Sequence, residues 1–314
     1  MSERELRRDP LSGRWSAIAP GRAARPGAQA RTWAEPAGAD PADCPFCEGH
    51  EDQTPPETFA IGPDDRKPDM PGWQIRVVPN LFPAFADGED WSRPGMLEAR
   101  AARGVQEVVV NAPRHVRSIA DLSDDELAAV AEAWSARAGA ARKQGFPYVH
   151  AIVNEGREAG ASLAHTHSQL LWLPDEPPAI REERAAGAGA CALCTLVAAE
   201  RAGGGRLIAA ADGLVALAAF APRQPYELLV VPEVCEQDPF ESVLLAPALR
   251  LAATILGQVH ELEGPVPANL WLHHGVHWHL ELLPRTTVQA GIELGAGIYV
   301  TTLAPEEAAR RLRG

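Results

Sequence analysis

Four of the five cysteines form two Cys-x-x-Cys pairs, Cys44-Pro-Phe-Cys47 and Cys191-Ala-Leu-Cys194. Each pair is followed far downstream by a His-x-His, His165-Thr-His167 and His277-Trp-His279. An intracellular chain does not normally keep structural disulfides. A redox Cys-x-x-Cys wants a thioredoxin-like βαβ setting, and one such pair is enough for that chemistry. Two thiolates at this spacing turn toward one tetrahedral zinc ion, which then needs two further ligands. The pattern thus predicts a chain pinned by zinc and built twice on one plan.

The rest of the sequence follows that repeat. In the first half, Gln74–Pro79 and Gly104–Asn111 read as strands. Ser123-Asp-Asp-Glu126 reads as a capping box, and Leu127, Val130, Ala131, Trp134 and Ala138 follow at helical spacing. Tyr148–Val153 reads as a strand, then comes a Gly-bearing loop (154–161). A strand over Leu163–Leu173 carries His165, His167 and Gln169. Pro174–Ala190 reads as a linker. The second half runs Cys-x-x-Cys, strands at Leu214–Phe220 and Tyr226–Val231, a helix around Ala246–Leu262, and a strand with His277, His279 and Glu281. The intervals differ, so this is a diverged duplication rather than a repeat array. At 314 residues the chain suits two domains, 1–178 and 179–314, of the α+β class with antiparallel sheets and packed helices.

Charge narrows the function. The net charge of −13 disfavours a general grip on nucleic acid, which needs a basic surface. No apolar run approaches a membrane span, and no basic-then-apolar leader opens the chain, so the expected location is cytoplasmic. The first thirty-odd residues reverse the overall sign: Arg4, Arg7, Arg8, Arg14, Arg22, Arg25 and Arg31 stand against Glu3, Glu5 and Asp9. Such an arm is either solvated charge or a source of guanidinium groups for an anionic substrate.

Residues two apart on a strand share a face. Paired imidazoles can divide their work, one ligating a metal through a neutral nitrogen and the other keeping a lone pair for chemistry.

The run Gly160-Ala-Ser-Leu-Ala-His165-Thr-His167-Ser-Gln169 resembles the active-site signature of the galactose-1-phosphate uridylyltransferase family, in the histidine-triad superfamily. Further resemblances occur in order along nearly the whole chain. They are Asp9–Trp15 (the opening strand), Gly21–Pro26 (a phosphate-contacting basic segment), Val78–Phe82 (a nucleoside-contacting stretch), Asn154-Glu-Gly156, and Glu293–Gly297 (a C-terminal substrate-facing segment). The resemblance implies two tandem histidine-triad-like domains and a place in galactose or other carbohydrate metabolism. It implies a two-step nucleotidyl transfer in which His167 attacks the α-phosphorus of a nucleotide sugar. A sugar 1-phosphate leaves, and a second phosphate-bearing acceptor takes the nucleotide. Arg22, Arg25, Asn80, Asn154, Ser162 and Gln169 are then the substrate-binding residues. The implied partners are a nucleotide sugar with a sugar 1-phosphate or phosphate, without nucleic acid or membrane, and a homodimer is allowed.

The same resemblance implies a zinc site made of Cys44, Cys47, His115 and His165. A second zinc, found in some relatives, takes Cys191, Cys194 and His277. Cys235 stands where those relatives have a histidine, and thiolate suits zinc as well as imidazole does. His279 is an alternative fourth ligand or a substrate contact. Thr166 stands where galactose-1-phosphate enzymes usually have proline, and Gly291–Gly297 looks like the ADP-glucose phosphorylase branch. Three readings follow: a UDP-hexose transferase, an ADP-sugar phosphorylase, or an inactive zinc-stabilised nucleotide-binding protein.

Overall fold

Ser123 and Glu126 do what a capping box requires. The Ser123 hydroxyl accepts from the Glu126 N–H at 3.2 Å, and the Glu126 carboxylate accepts from the Ser123 N–H at 2.7 Å. Helix α1 (Asp124–Lys143) follows, with acidic residues in its first turn and Arg142 and Lys143 in its last, as the helix dipole favours. Its periodic residues Leu127, Val130, Ala131, Trp134 and Ala138 are all buried. A computed structural model describes residues 5–8, 15–18, 37–186 and 191–314. Arg22 and Arg25 lie outside the described residues.

Two short strands, β1 (Glu5–Arg8) and β2 (Trp15–Ile18), join β5 (Ser92–Arg93) and β6 (Ala99–Ala101) in a four-stranded sheet. The main sheet has ten strands. From the first half come β3 (Phe59–Ile61), β4 (Ile75–Pro79), β7 (Val105–Val110), β8 (Tyr148–Glu155) and β9 (His167–Leu173). From the second come β10 (Leu207–Ala211), β11 (Leu214–Ala218), β12 (Leu228–Pro232), β13 (Ala268–His273) and β14 (His279–Pro284). The order is β10-β11-β12-β14-β13-β8-β9-β7-β4-β3, antiparallel throughout. The two halves meet where β8 pairs with β13, Glu155 opposite Ala268 and Ile152 opposite Trp271. Each half therefore contributes five strands to one continuous sheet.

Helix α1 and helix α4 (Leu245–Glu263) pack on one face of that sheet, over a core that includes Trp134, Leu170, Trp172, Leu249 and Leu282 from both halves. Emptying the site of Trp134, which is fully buried, would cost about 3–5 kcal/mol. The alternation of β9 sends Leu170 and Trp172 toward the helices and His167 and Gln169 to the other face. That other face is covered locally: the Cys44–Cys47 loop packs with Trp73, Val78, Val108 and Val110, and helix α3 (Ala192–Arg201) covers Val215, Leu217 and Val231.

The structure corrects two readings. The histidine-bearing strands begin at the second histidine of each pair, at His167 and His279, so His165 and His277 precede them. Residues 163–166 are instead held by Ala37 and Val116: the Ala164 N–H donates to the Ala37 carbonyl and the Thr166 N–H to that of Val116. This frees His165 from strand geometry and lets it turn toward the cysteines. The stretch read as a linker contains helix α2 (Pro178–Ala186), with Ile180 buried. After β14, helices α5 (Gly291–Ala296) and α6 (Pro305–Arg313) follow, the latter burying Ala308, Ala309 and Leu312. Among the described residues, no helix is long and apolar enough to cross a membrane.

Candidate active site

Cys44 and Cys47 sit in a tight loop. The Cys47 N–H donates to the Cys44 carbonyl, and His50 Nδ1 donates to that same oxygen at 2.7 Å. Gly38 makes the close approach possible: its φ is +68°, and a Cβ there would stand 3.3 Å from Cys44 Cα. Opposite the loop, His165 Nδ1 lies 3.5 Å from Cys44 Sγ and 3.7 Å from Cys47 Sγ, and His115 Nδ1 lies 3.3 Å from Cys47 Sγ. A tetrahedral zinc with ordinary bond lengths puts sulfur and nitrogen about 3.5 Å apart, so the four atoms stand where such an ion needs them. His165 Nε2 donates to the Ala112 carbonyl at 2.9 Å, which leaves the lone pair on Nδ1, the nitrogen facing the thiols. Burial pushes the His165 imidazole down to about 4, and burial beside Cys44 pushes the Cys47 thiol up to about 12. Neutral donors around a common centre are suited to a cation that displaces their protons.

His167 uses its ring the other way round. Its Nδ1 donates to the His165 carbonyl at 2.8 Å, placing the lone pair on Nε2. The residue borders a cleft of about 200 Å³, whose walls include Phe46, Asn80, Phe82, Ser162 and Gln169. The Phe46 ring meets His167 edge to face, with centroids 5.2 Å apart. Gln169 is fixed by Gln106, whose amide donates to its oxygen at 2.8 Å, and the Asn80 oxygen accepts from the Phe82 N–H at 2.9 Å. Val78, Pro79, Asn80, Leu81 and Phe82, read as one nucleoside-contacting stretch, all line this cleft. The loop that presents Ser162 starts at Gly156, with φ +78° and so little room that a Cβ would come within 2.7 Å of Pro267.

Two residues from the anticipated substrate-facing segments are not among the cleft walls. Asn154 does not line the cleft; its side-chain oxygen accepts from Asn269 across the strand at 2.7 Å. Glu293 lies on α5 and does not line the cleft either. Sequence reading missed Arg76, which is 2% exposed and bonds Glu57 at 3.2 Å, Asp69 at 2.7 Å and Thr54. It thereby anchors the Gln53–Pro55 wall of the cleft. An arginine in an otherwise apolar strand, Ile75-Arg-Val-Val, was the available signal.

The galactose-1-phosphate uridyl transferase N-terminal domain family model matches residues 1–177. The chain belongs to the galactose-1-phosphate uridyl transferase family. A second model, described as a domain of unknown function (DUF4921), matches residues 128–313. Relatives in this family include the ADP-glucose phosphorylase of Arabidopsis thaliana, 28% identical over 98% of this chain and 92% of that protein. The galactose-1-phosphate uridylyltransferase of Thermotoga maritima is 24% identical over 98% of each. Among solved structures, a uridylyltransferase mutant superposes with a TM-score of 0.80 at 26% identity, covering 98% of this chain and 96% of that one. The Arabidopsis thaliana ADP-glucose phosphorylase with bound ADP-glucose gives 0.73 at 25% identity, covering 99% and 98%.

The C-terminal half of this transferase-family chain repeats the site with changes. Cys191, Cys194, Cys235 and His277 bring four ligand atoms within 4.8 Å of one another. His277 Nδ1 stands 3.4 and 3.5 Å from the two thiols of the pair, and its Nε2 donates to the Pro232 carbonyl at 2.9 Å, as His165 does to Ala112. Cys235 Sγ lies 4.0 Å from Cys191 Sγ, so the thiol takes the fourth corner and His279 does not. His279 Nδ1 donates to the His277 carbonyl at 3.1 Å, and its Nε2 faces Glu281 at 3.5 Å. Glu183, His273, His279 and Glu281 gather there, a group not foreseen as a unit, with Arg223 on Glu281 at 2.6 Å. Burial alone would raise the Glu281 carboxyl; the bond from His279 and the charges of His273 and Arg223 outweigh it and hold it at about 2. Where the first half offers the neutral amide of Gln169, the second offers a carboxylate.

Proposed function

We propose that the chain transfers a nucleoside monophosphate from a nucleotide sugar to a hexose 1-phosphate through a covalent nucleotidyl-His167. The observation that carries this reading is the ring of His167: its Nδ1 donates to a backbone carbonyl, and the residue borders a cleft whose described walls carry no charged side chain. A neutral imidazole with a fixed tautomer is a good nucleophile at pH 7 and a good leaving group from phosphorus. Nε2 attacks the α-phosphorus, and the bond to the sugar 1-phosphate oxygen breaks. In the second step an acceptor phosphate oxygen attacks, the P–N bond breaks, and imidazole regains its lone pair. The Ser162 hydroxyl and the Gln169 amide, both bordering the cleft, would meet the phosphoryl oxygens. Arg22 and Arg25 are the proposed further phosphate contacts. Only the N-terminal copy suits this chemistry, because Glu281 would repel a phosphate from His279.

Cys44, Cys47, His115 and His165 would hold zinc, as would Cys191, Cys194, Cys235 and His277. With all four corners filled by protein atoms, such an ion supplies cross-linking between loop and strand rather than an activated water. His165 would thereby tie the approach to His167 to the N-terminal loop.

A second reading keeps the first step and makes inorganic phosphate the acceptor, releasing a nucleoside diphosphate. It is favoured by the likeness to the Arabidopsis thaliana ADP-glucose phosphorylase over 98% of the chain. The test is incubation with UDP-, ADP- and GDP-sugars labelled in the α-phosphate. An acid-labile protein adduct supports the transfer, and its discharge by hexose 1-phosphate or by phosphate separates the two acceptors. No adduct with any donor sinks both.

A further inference from the structure

We propose that Glu155 is a positioning residue for His167: its carboxylate, acting through Thr166, fixes the start of the strand that carries the nucleophile. The inference rests on the transfer reading above.

The alternation of β8 places Val149, Ala151 and Val153 on the helix-facing side, in the core. Glu155 comes next on that side, where an apolar residue is expected, and it is 6% exposed. Extending the register Val153–Ser168 by two steps sets Glu155 opposite Thr166, and extending Val110–His167 by one sets Asn111 opposite Thr166. A polar row thus crosses three strands, on the side of the sheet opposite the cleft. Thr166 Oγ1 donates to Glu155 Oε1 at 3.1 Å, and Asn111 Nδ2 donates to Thr166 Oγ1 at 3.3 Å. Ser168 Oγ donates to Asn111 Oδ1 at 2.7 Å. The residues on either side of His167 are therefore held from behind, while His167 itself faces forward.

Glu155 is anchored in turn. Its carboxylate accepts from Ser118 Oγ at 2.7 Å and from the Ile119 N–H at 2.5 Å. Gly156, the next residue, begins the loop that presents Ser162. One carboxylate so joins the nucleophile strand, the phosphate-facing loop and the segment that follows His115. Burying a carboxylate is costly, and Glu155 has three hydrogen bonds but no cationic partner among the described ion pairs. An apolar residue would fill the slot without that cost, so what the carboxylate contributes is direction. The second half shows the contrast. At the same register positions, beside His279, it carries His274 and Trp278, with His274 stacked on Tyr148. There an imidazole takes the place of the Glu155 carboxylate, and the Trp278 indole N–H donates to Glu236 at 3.1 Å, from a different segment.

Misplacing a reacting group by an ångström can cost about 100-fold in rate. The experiment measures adduct formation on the full-length protein with α-labelled UDP-glucose and ADP-glucose. Thr166→Val keeps the shape and removes the hydroxyl; Glu155→Ala removes the anchor; Thr166→Ser keeps the bond. Expected is a fall of about 10–100-fold in the maximal rate for Thr166→Val and Glu155→Ala, with half-saturation shifted less than about threefold and metal content unchanged. Thr166→Ser should stay within about threefold of wild type. Circular dichroism checks folding, and if Glu155→Ala does not fold, the Thr166 pair decides alone. Wild-type rates in folded Thr166→Val overturn the proposal, as does a loss confined to half-saturation or a Thr166→Ser as slow as the valine variant. A wild type that forms no adduct overturns the transfer reading, and this inference with it.

Discussion

His167 Nδ1 donates to the backbone carbonyl of His165 at 2.8 Å, so the two histidines of one motif are locked in opposite tautomers. His165 presents Nδ1 to the thiols and His167 presents Nε2 to the cleft. The division of labour follows the backbone carbonyls of Ala112 and His165. Replacing His167 with Asn should therefore abolish adduct formation, by at least about 10³-fold, and leave metal content and fold intact. Full transfer by a clean His167→Asn preparation would remove it as nucleophile.

Metal content tests the first cluster. Cys44→Ser or His115→Ala should each lower zinc by about one equivalent. Structural zinc contributes on the order of 10 kcal/mol in small peptides and less inside a preformed core, so a fall in melting temperature of about 5–10 °C is expected. Elemental analysis showing unchanged zinc in both variants would dismiss this ligand set.

Cys235 separates structure from chemistry. Its thiol is exposed, yet it stands 4.0 Å from Cys191 Sγ. Cys235→Ser should lower metal content toward one equivalent and loosen the C-terminal half, with the adduct on His167 still forming. Cys235→His should restore the metal, since imidazole fits the same corner. Two equivalents of metal in Cys235→Ser would show that the thiol is not a ligand.

Glu155 gives the protein a pH signature. Burial raises its carboxyl from 4.5 to about 7, against the lowering effect of the bonds from Ser118, Ile119 and Thr166. Between those values the folded state keeps a proton that the unfolded chain has released, so this group's contribution to stability falls as pH rises from about 4.5 to 7 and is flat outside that window. Glu155→Gln does not titrate. Denaturant unfolding across pH 4.5–8 should show wild type losing roughly 1–3 kcal/mol relative to Glu155→Gln. Parallel curves would disprove the raised value.

Much of the site was legible because it depends on local spacing. The Cys-x-x-Cys pairs and the Ser123–Glu126 cap are short-range patterns whose geometry follows from residue separation alone, whereas His165 and His277 lie outside the strands that carry their partners. The resemblance carried by Gly160–Gln169 added the family, which the match over residues 1–177 establishes. Cys235 was found the same way, by its place after a strand end.

What spacing does not encode is which strands become neighbours. The ten-stranded sheet exists because β8 of one half pairs with β13 of the other, a long-range choice that covers both edges and merges two cores into one. The same pairing decided that Asn154 meets Asn269 instead of the cleft, and that Glu183 joins His273, His279 and Glu281. Glu155 read as loop until register put it behind His167. The sequence by itself determined the chemistry available, through ligand type and separation. Only the tertiary structure decided what gathers beside each second histidine, because Glu183 and His273 reach His279 from other elements of the fold.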